Sequence, residues 1–229
     1  MIVLKNIWFS YVDENYVLKN IDIEFNRGIT IVLGPNGSGK TTLLKIASCI
    51  YKPMRGEVLI DNINYWSLNE EEKVKLRRRI VYVHENPILL RGSVLDNIIY
   101  GLIIRGYSKD DAIKKAYKIS RELNITSLLS RKAKTLSMGE RRLVTLARAL
   151  VLDIDYLLLD EPIVHLHPSI RELIIDIIRD MKSEKVIVIA THDPLSTLKI
   201  ASKVVLLDSG KIVNMGEPRN ILDKYIVKY

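Results

Sequence analysis

Gly34-Pro35-Asn36-Gly37-Ser38-Gly39-Lys40-Thr41 decides the fold. The stretch matches G-x-x-x-x-G-K-[ST] and lies between the apolar run Ile29-Thr30-Ile31-Val32-Leu33 and the helical run Thr42-Leu43-Leu44-Lys45-Ile46. Strand, glycine-rich loop and helix in that order make a phosphate-binding loop. Gly34, Gly37 and Gly39 let the backbone curl until its N–H groups face an anion. The following helix adds its positive end at the same place. Lys40 reaches the β- and γ-phosphates, and the hydroxyl of Thr41 ligates Mg²⁺. A glycine-rich turn alone is more often only a turn. The Lys-Thr pair and the flanking elements point to a bound nucleotide.

Three further motifs follow in a fixed order. They are Leu136-Ser137-Met138-Gly139-Glu140, then Tyr156-Leu157-Leu158-Leu159-Asp160-Glu161-Pro162, then Val186-Ile187-Val188-Ile189-Ala190-Thr191-His192-Asp193. With them the chain resembles, essentially end to end, the ATP-binding cassette (ABC) ATPases, whose Leu-Ser-Gly-Gly-Gln signature precedes a Walker B strand and a switch histidine. The resemblance implies an α/β fold: a P-loop NTPase core with an N-terminal antiparallel β subdomain and an inserted α-helical subdomain. The expected division is a single nucleotide-binding domain over 1–229, with the core from 1–86 plus 153–229 and the insert at about 87–152.

Length and composition agree with that class. At 229 residues the chain has room for an ample core, and 48% hydrophobic with 7% aromatic content suits an aliphatic α/β protein better than a β-sandwich. No apolar run approaches the roughly 18 residues of a membrane span, and the start lacks a secretory pattern. A soluble, cytoplasmic protein is expected, with no accessory domain after the last hairpin. Cys49, the one cysteine, excludes an intramolecular disulfide and reads as a small packed side chain late in the helix after the loop. The excess of 35 basic over 27 acidic residues gives +8, which admits nucleic acid or an anionic surface as a partner. The one compact basic run, Lys73-Val74-Lys75-Leu76-Arg77-Arg78-Arg79, reads first as a solvated helix end.

Strands are expected at 2–9 and 17–25, with a turn at Asp13-Glu14-Asn15, then at Glu57–Ile60 and Ile80–Val83. From about Ser93 to Leu152 the chain reads as helical. Buried strands return near Tyr156, and Val204–Val213 reads as a hairpin. The helix at about 168–182 places Ile170, Leu173, Ile174, Ile177, Ile178 and Met181 on one core-facing stripe.

What the resemblance implies for the site runs residue by residue. Gly34 to Thr41 and Thr42 cradle the phosphates of ATP. Asp160, at the end of its strand where α/β sheets place ligands, holds Mg²⁺ with Thr41 and Glu85. Glu161 is the general base, Lys40 supports the reacting phosphates, and His192 senses the γ-phosphate. Tyr11 stacks on adenine, with Phe9 and Tyr16 as competitors. Ser137, Gly139 and Glu140 belong to the signature loop, which in the family caps the nucleotide of a second, head-to-tail cassette. Three positions depart from the family. Glu85 replaces a glutamine, unless Asn86 takes that place by a one-residue slip. Met138 replaces the first signature glycine, and His167 replaces an aspartate. His165 and His167 also admit a metal-ligand reading, weakened by the lack of a third partner nearby.

These features imply an ATPase subunit energising a membrane transporter from the cytoplasmic face. Its expected partners are a second cassette, identical or different, separate transmembrane permease subunits and a solute-binding protein. Leu128–Thr135 resembles importer cassettes, and Arg91–Gly106 looks most like importers of tungstate or molybdate. A soluble ABC-type ATPase acting on DNA or ribosomes is the rival, but it would show tandem cassettes, a coiled-coil insertion or a metal-binding segment. A P-loop kinase or GTPase conflicts with the signature motif. No nucleic acid is expected.

Overall fold

A computed structural model describes residues 1–12, 15–164, 166–192 and 197–221. The turn residues Asp13 and Glu14, together with His165 and Asp193, lie outside the described residues. Two compact units are present. The first comprises Met1–Tyr82, Ile154–Glu161 and Ile175–Tyr229, and the second Val83–Asp153 and Pro162–Ile174.

The first unit holds two sheets. β1 (Ile2–Ser10), β2 (Tyr16–Phe25), β4 (Arg55–Ile60) and β5 (Ile63–Asn64) form an antiparallel sheet in the order β2-β1-β4-β5. Alternate residues of β2 such as Ile21, Ile23 and Phe25 point inward, as expected of a sheet with one wet face. The second sheet has the order β10-β9-β3-β8-β7-β6, built from β3 (Gly28–Leu33), β6 (Ile80–Val83), β7 (Tyr156–Asp160), β8 (Val186–Thr191), β9 (Lys203–Asp208) and β10 (Lys211–Gly216). β3, β7 and β8 pair in parallel and are buried at every residue, which is why they read as unbroken apolar runs. One core joins both sheets to α1 (Lys40–Ala47), with Phe25, Leu43, Leu44, Leu158 and Val205 at its centre. β5 was not legible in the sequence. It follows a two-residue turn in which Asp61 and Asn62 both take left-handed φ, 51° and 66°, a geometry that Asp and Asn tolerate.

In the second unit α3 (Val94–Ile103), α4 (Lys109–Glu122) and α5 (Met138–Leu150) pack through Ile98, Leu102, Ala116 and Val144. Ser93–Asp96 and Ser137–Glu140 close capping boxes at α3 and α5, each cap worth about 1 kcal/mol. Buried Asn97 exchanges hydrogen bonds with the backbone of Leu90 and ties the preceding loop to α3.

Two sequence expectations need correction. α1 ends at Ala47, so Cys49 lies beyond the helix at φ 59°, buried, its thiol pushed up to about 12 by desolvation. Burial and the raised pKa both disfavour the thiolate, the reactive form. α6 (Pro168–Asp180) buries Ile174, Ile175 and Ile178, while Ile170, Leu173, Ile177 and Met181 are only half covered. The buried stripe is rotated to take in Ile175, because the packed neighbours, not periodicity alone, select it.

Candidate functional site

β3 delivers the chain to the phosphate loop, and α1 leaves it at Lys40 with Gly39 as N-cap. Each loop glycine has its own reason. A Cβ on Gly34 would strike the carbonyl of Leu207 and the hydroxyl of Ser38, whereas Gly39 needs φ +102° and abuts Leu18. Gly37 takes φ +80° with open space around it, so only its backbone conformation demands glycine. Beneath the loop, the turn between β9 and β10 acts as a brace. Gly210 N donates to Ser38 O at 3.1 Å, and Gly210 O accepts from Lys19 N at 2.8 Å.

The loop is built for an anion. Lys40 Nζ, 7% exposed, donates to the carbonyls of Gly34 at 2.8 Å and Pro35 at 3.1 Å. The ammonium thus lies within the curl, at its floor. Ser38 Oγ is buried without a hydrogen-bond partner among the described residues, an arrangement that a phosphate oxygen would satisfy. Pro35, Asn36 and Gly37 form the open rim.

Adjacent strand ends supply the carboxylates. Asp160 is 1% exposed, and its Oδ2 accepts from Thr41 Oγ1 at 2.7 Å and from Tyr82 OH at 2.9 Å. Hydroxyl and carboxylate are hard oxygen donors, the set that Mg²⁺ prefers. Burial, with Asp160 beside it, pushes the Tyr82 phenol far above its ordinary value. Glu161 sits at φ 46°, a left-handed conformation that costs a non-glycine residue about 1 kcal/mol. Its backbone N–H reaches Ala190 O at 2.9 Å. Its carboxylate accepts from Thr191 Oγ1 at 2.8 Å, His192 N at 2.9 Å and His192 Nδ1 at 2.8 Å. The carboxylate is fixed; the imidazole, 48% exposed, looks outward.

Tyr11 OH lies 3.0 Å from Thr42 Oγ1, and the side chain is 55% exposed. Phe9 is buried beneath it, stacked on Tyr51 at 5.5 Å, and Tyr11 meets both rings edge-on. Tyr16 packs instead against Trp8 at 5.2 Å. The exposed ring next to α1 is therefore that of Tyr11, held by a Phe9–Tyr51 pair whose second member the sequence reading missed.

In the second unit Ser137 caps α5, Met138 is 58% exposed, and Glu140 is held by Ser137 N at 2.7 Å and Arg131 at 2.7 Å. These contacts keep the Glu140 carboxyl below the usual carboxylate range, the Ser137 backbone bond contributing most. A Cβ on Gly139 would make only an ordinary 3.6 Å contact with Leu166. Glu85 is exposed, its carbonyl accepting from Arg142 at 2.7 Å, and Asn86 N donates to His84 Nδ1 at 2.9 Å. His167 Nδ1 pairs with Ser169 Oγ at 2.9 Å at the start of α6. No trio of His, Cys, Asp or Glu among the described residues is arranged to hold a metal.

The basic run is engaged within its own unit. α2 (Glu70–Arg77) carries Lys73–Glu70 and Lys75–Glu71 pairs, Arg77 donates to Cys49 O, and Arg79 bridges Asp61 and Asp155. Among the described residues no helix is long and apolar enough to cross a membrane.

Comparison with known proteins bears on this arrangement. A family model described as ABC transporter matches residues 18–164. The molybdate/tungstate import ATP-binding protein WtpC of Methanocaldococcus jannaschii is 36% identical over 222 residues, covering 96% of this chain and 71% of that protein. The energy-coupling factor transporter ATP-binding protein EcfA1 of Mycoplasmopsis synoviae is 32% identical, covering 98% and 85% respectively. Among solved structures, the dimeric ABC transporter cassette MJ0796 superposes with TM-score 0.89 at 29% identity, over 96% of this chain and 99% of that one. The same cassette in a dimeric post-hydrolysis state with ADP and Pi gives 0.86.

Proposed function

Because the chain belongs to the ABC transporter family and is one of its ATPase cassettes, we propose that it powers solute import through ATP-dependent, head-to-tail pairing with a second cassette. Separate permease subunits would carry the solute across the membrane, holding the cassette at the cytoplasmic face. The observation that carries the pairing is Gly139. Its own fold tolerates a Cβ there, so the glycine answers to something that approaches from outside. Ser137 and Met138 on the same loop are exposed, and the triphosphate of a second cassette fits the role.

In this reading the loop amides, Ser38 and Lys40 bind the phosphates, and Tyr11 offers a ring face to the base. Thr41 and Asp160 would hold Mg²⁺, which when bound neutralises phosphate charge. Glu161 takes the proton of the water that attacks the γ-phosphate. Thr191 and His192 fix that carboxylate in advance, which spares reorganisation during the reaction. His192 meets the γ-phosphate through Nε2, so loss of that phosphate removes a contact holding the pair closed. The solute is an oxyanion of the molybdate or tungstate type, a reading supported by similarity to WtpC. A solute-binding protein would deliver it. The internal pairing of the basic run gives no support to a nucleic-acid partner.

Glu161→Gln should lower hydrolysis by about 10²–10⁴-fold and give an ATP-dependent dimer in size-exclusion chromatography with light scattering. Adding Gly139→Ala should abolish that dimer without lowering thermal stability in EDTA. Hydrolysis at the parent rate overturns the base assignment, and a strictly monomeric Glu161→Gln protein overturns the pairing. Uptake of labelled tungstate by vesicles containing the cassette and its permease tests the cargo.

A further inference from the structure

We propose that Tyr82 is a positioning residue for the ion-binding carboxylate, holding Asp160 through a hydrogen bond that does not depend on the phosphate loop; the proposal rests on the reading of Thr41 and Asp160 as the Mg²⁺ site. Asp160 is 1% exposed, and a carboxylate that deep needs donors. Two hydroxyls converge on its Oδ2: Thr41 at 2.7 Å and Tyr82 at 2.9 Å. Two donors on one oxygen set the rotation of the carboxylate as well as its position.

The two donors ride on different elements. Thr41 stands in the first turn of α1, immediately after Lys40, whose ammonium is bonded to the loop carbonyls of Gly34 and Pro35. A triphosphate in the loop would compete with those carbonyls for the Lys40 ammonium. The Thr41 oxygen must then also face the ion. Tyr82 stands on β6, next to β7 in the sheet, and its ring packs against the same core as Phe25 and Leu158. Its hydroxyl is anchored by the sheet and stays aimed at Asp160 while the loop changes. Nothing in the phosphate-loop or Asp-Glu motifs points to this residue, which is 78 positions away from Asp160 in the chain.

Tyr82→Phe keeps the packed ring and deletes one oxygen. Two measurements separate positioning from general structure. Binding of a fluorescent ATP analogue in EDTA should stay within about twofold of the parent. The affinity of Mn²⁺ for the protein–ATP complex, read by electron paramagnetic resonance, should weaken by about tenfold, the order expected when a hydrogen bond to a charged group is lost. The Mn²⁺ spectrum should broaden as the carboxylate gains rotational freedom. Tyr82→Trp, which fills the space but cannot place a donor at the same point, should behave as the Phe variant does. Mn²⁺ affinity equal to or tighter than the parent would overturn the proposal, as would a parallel loss of metal-free nucleotide binding and melting temperature. Thr41→Ala and Asp160→Asn serve as controls: if they too leave Mn²⁺ binding unchanged, it is the ion site itself that is misassigned.

Discussion

Ser38→Ala should stabilise the ligand-free protein and weaken ATP binding, two effects of opposite sign from one oxygen atom. Ser38 is 3% exposed and its Oγ has no hydrogen-bond partner among the described residues. A buried, unsatisfied hydroxyl costs about 1–3 kcal/mol. Deleting it removes that cost and leaves a void of one oxygen, worth a few tenths of a kcal/mol at about 24 cal/mol per Å³. The net gain is about 1 kcal/mol, or roughly 2–4 °C in Tm for a chain of this size. In the nucleotide complex the hydroxyl gains a phosphate oxygen, so its loss should weaken ATP about tenfold, equivalent to about 1.4 kcal/mol. Ligand stabilisation follows RT ln(1 + [L]/Kd), so saturating ATP should reverse the order: the variant melts higher in EDTA without nucleotide and slightly lower with it. Calorimetric melting at both conditions, with isothermal titration for ATP, reads all three quantities. A variant that melts below the parent without nucleotide, or binds ATP equally well, refutes the reasoning.

Further outcomes follow from the same geometry. Tyr11→Ala should weaken ATP and GTP binding alike by about tenfold, since stacking is worth about 1–3 kcal/mol per base and reads little of base identity; unchanged affinity by calorimetry would remove Tyr11 from the base site. Asp61 offers a pH test. Burial raises its pKa, but hydrogen bonds from the Met1 amine, Tyr156 and Arg79 bring it down to about 2 from 3.8. A carboxylate depressed in the folded state adds stability above its unfolded value and loses it as pH falls from about 3.8 towards 2. Urea melts of Asp61→Asn should therefore lie below the parent at neutral pH and converge with it across that window, and a gap that stays constant would exclude the linkage.

How much of this was legible beforehand depends on how local each cause is. The phosphate loop could be read because its demands lie within eight consecutive residues: glycines for φ, a lysine for charge and a hydroxyl for the ion. The buried strands β3, β7 and β8 could be read because a parallel strand covered on both faces must be apolar throughout. The capping box at Ser137–Glu140 is likewise written in a four-residue spacing. Cys49 and α6 were less legible, because a helix end and the exact buried stripe depend on what packs against them.

Contacts between distant segments were beyond the sequence. The chain's order says nothing of the phenol of Tyr82 reaching Asp160, of the β9–β10 turn bracing Ser38 through Gly210, or of Tyr51 backing Phe9 beneath Tyr11. Each joins elements brought together only when the two sheets and α1 close on one core. The motifs therefore determined which chemical groups this protein carries. Tertiary packing decided which oxygen each donor meets and which hydroxyl is left without one, because hydrogen bonds are satisfied in space and not along the chain.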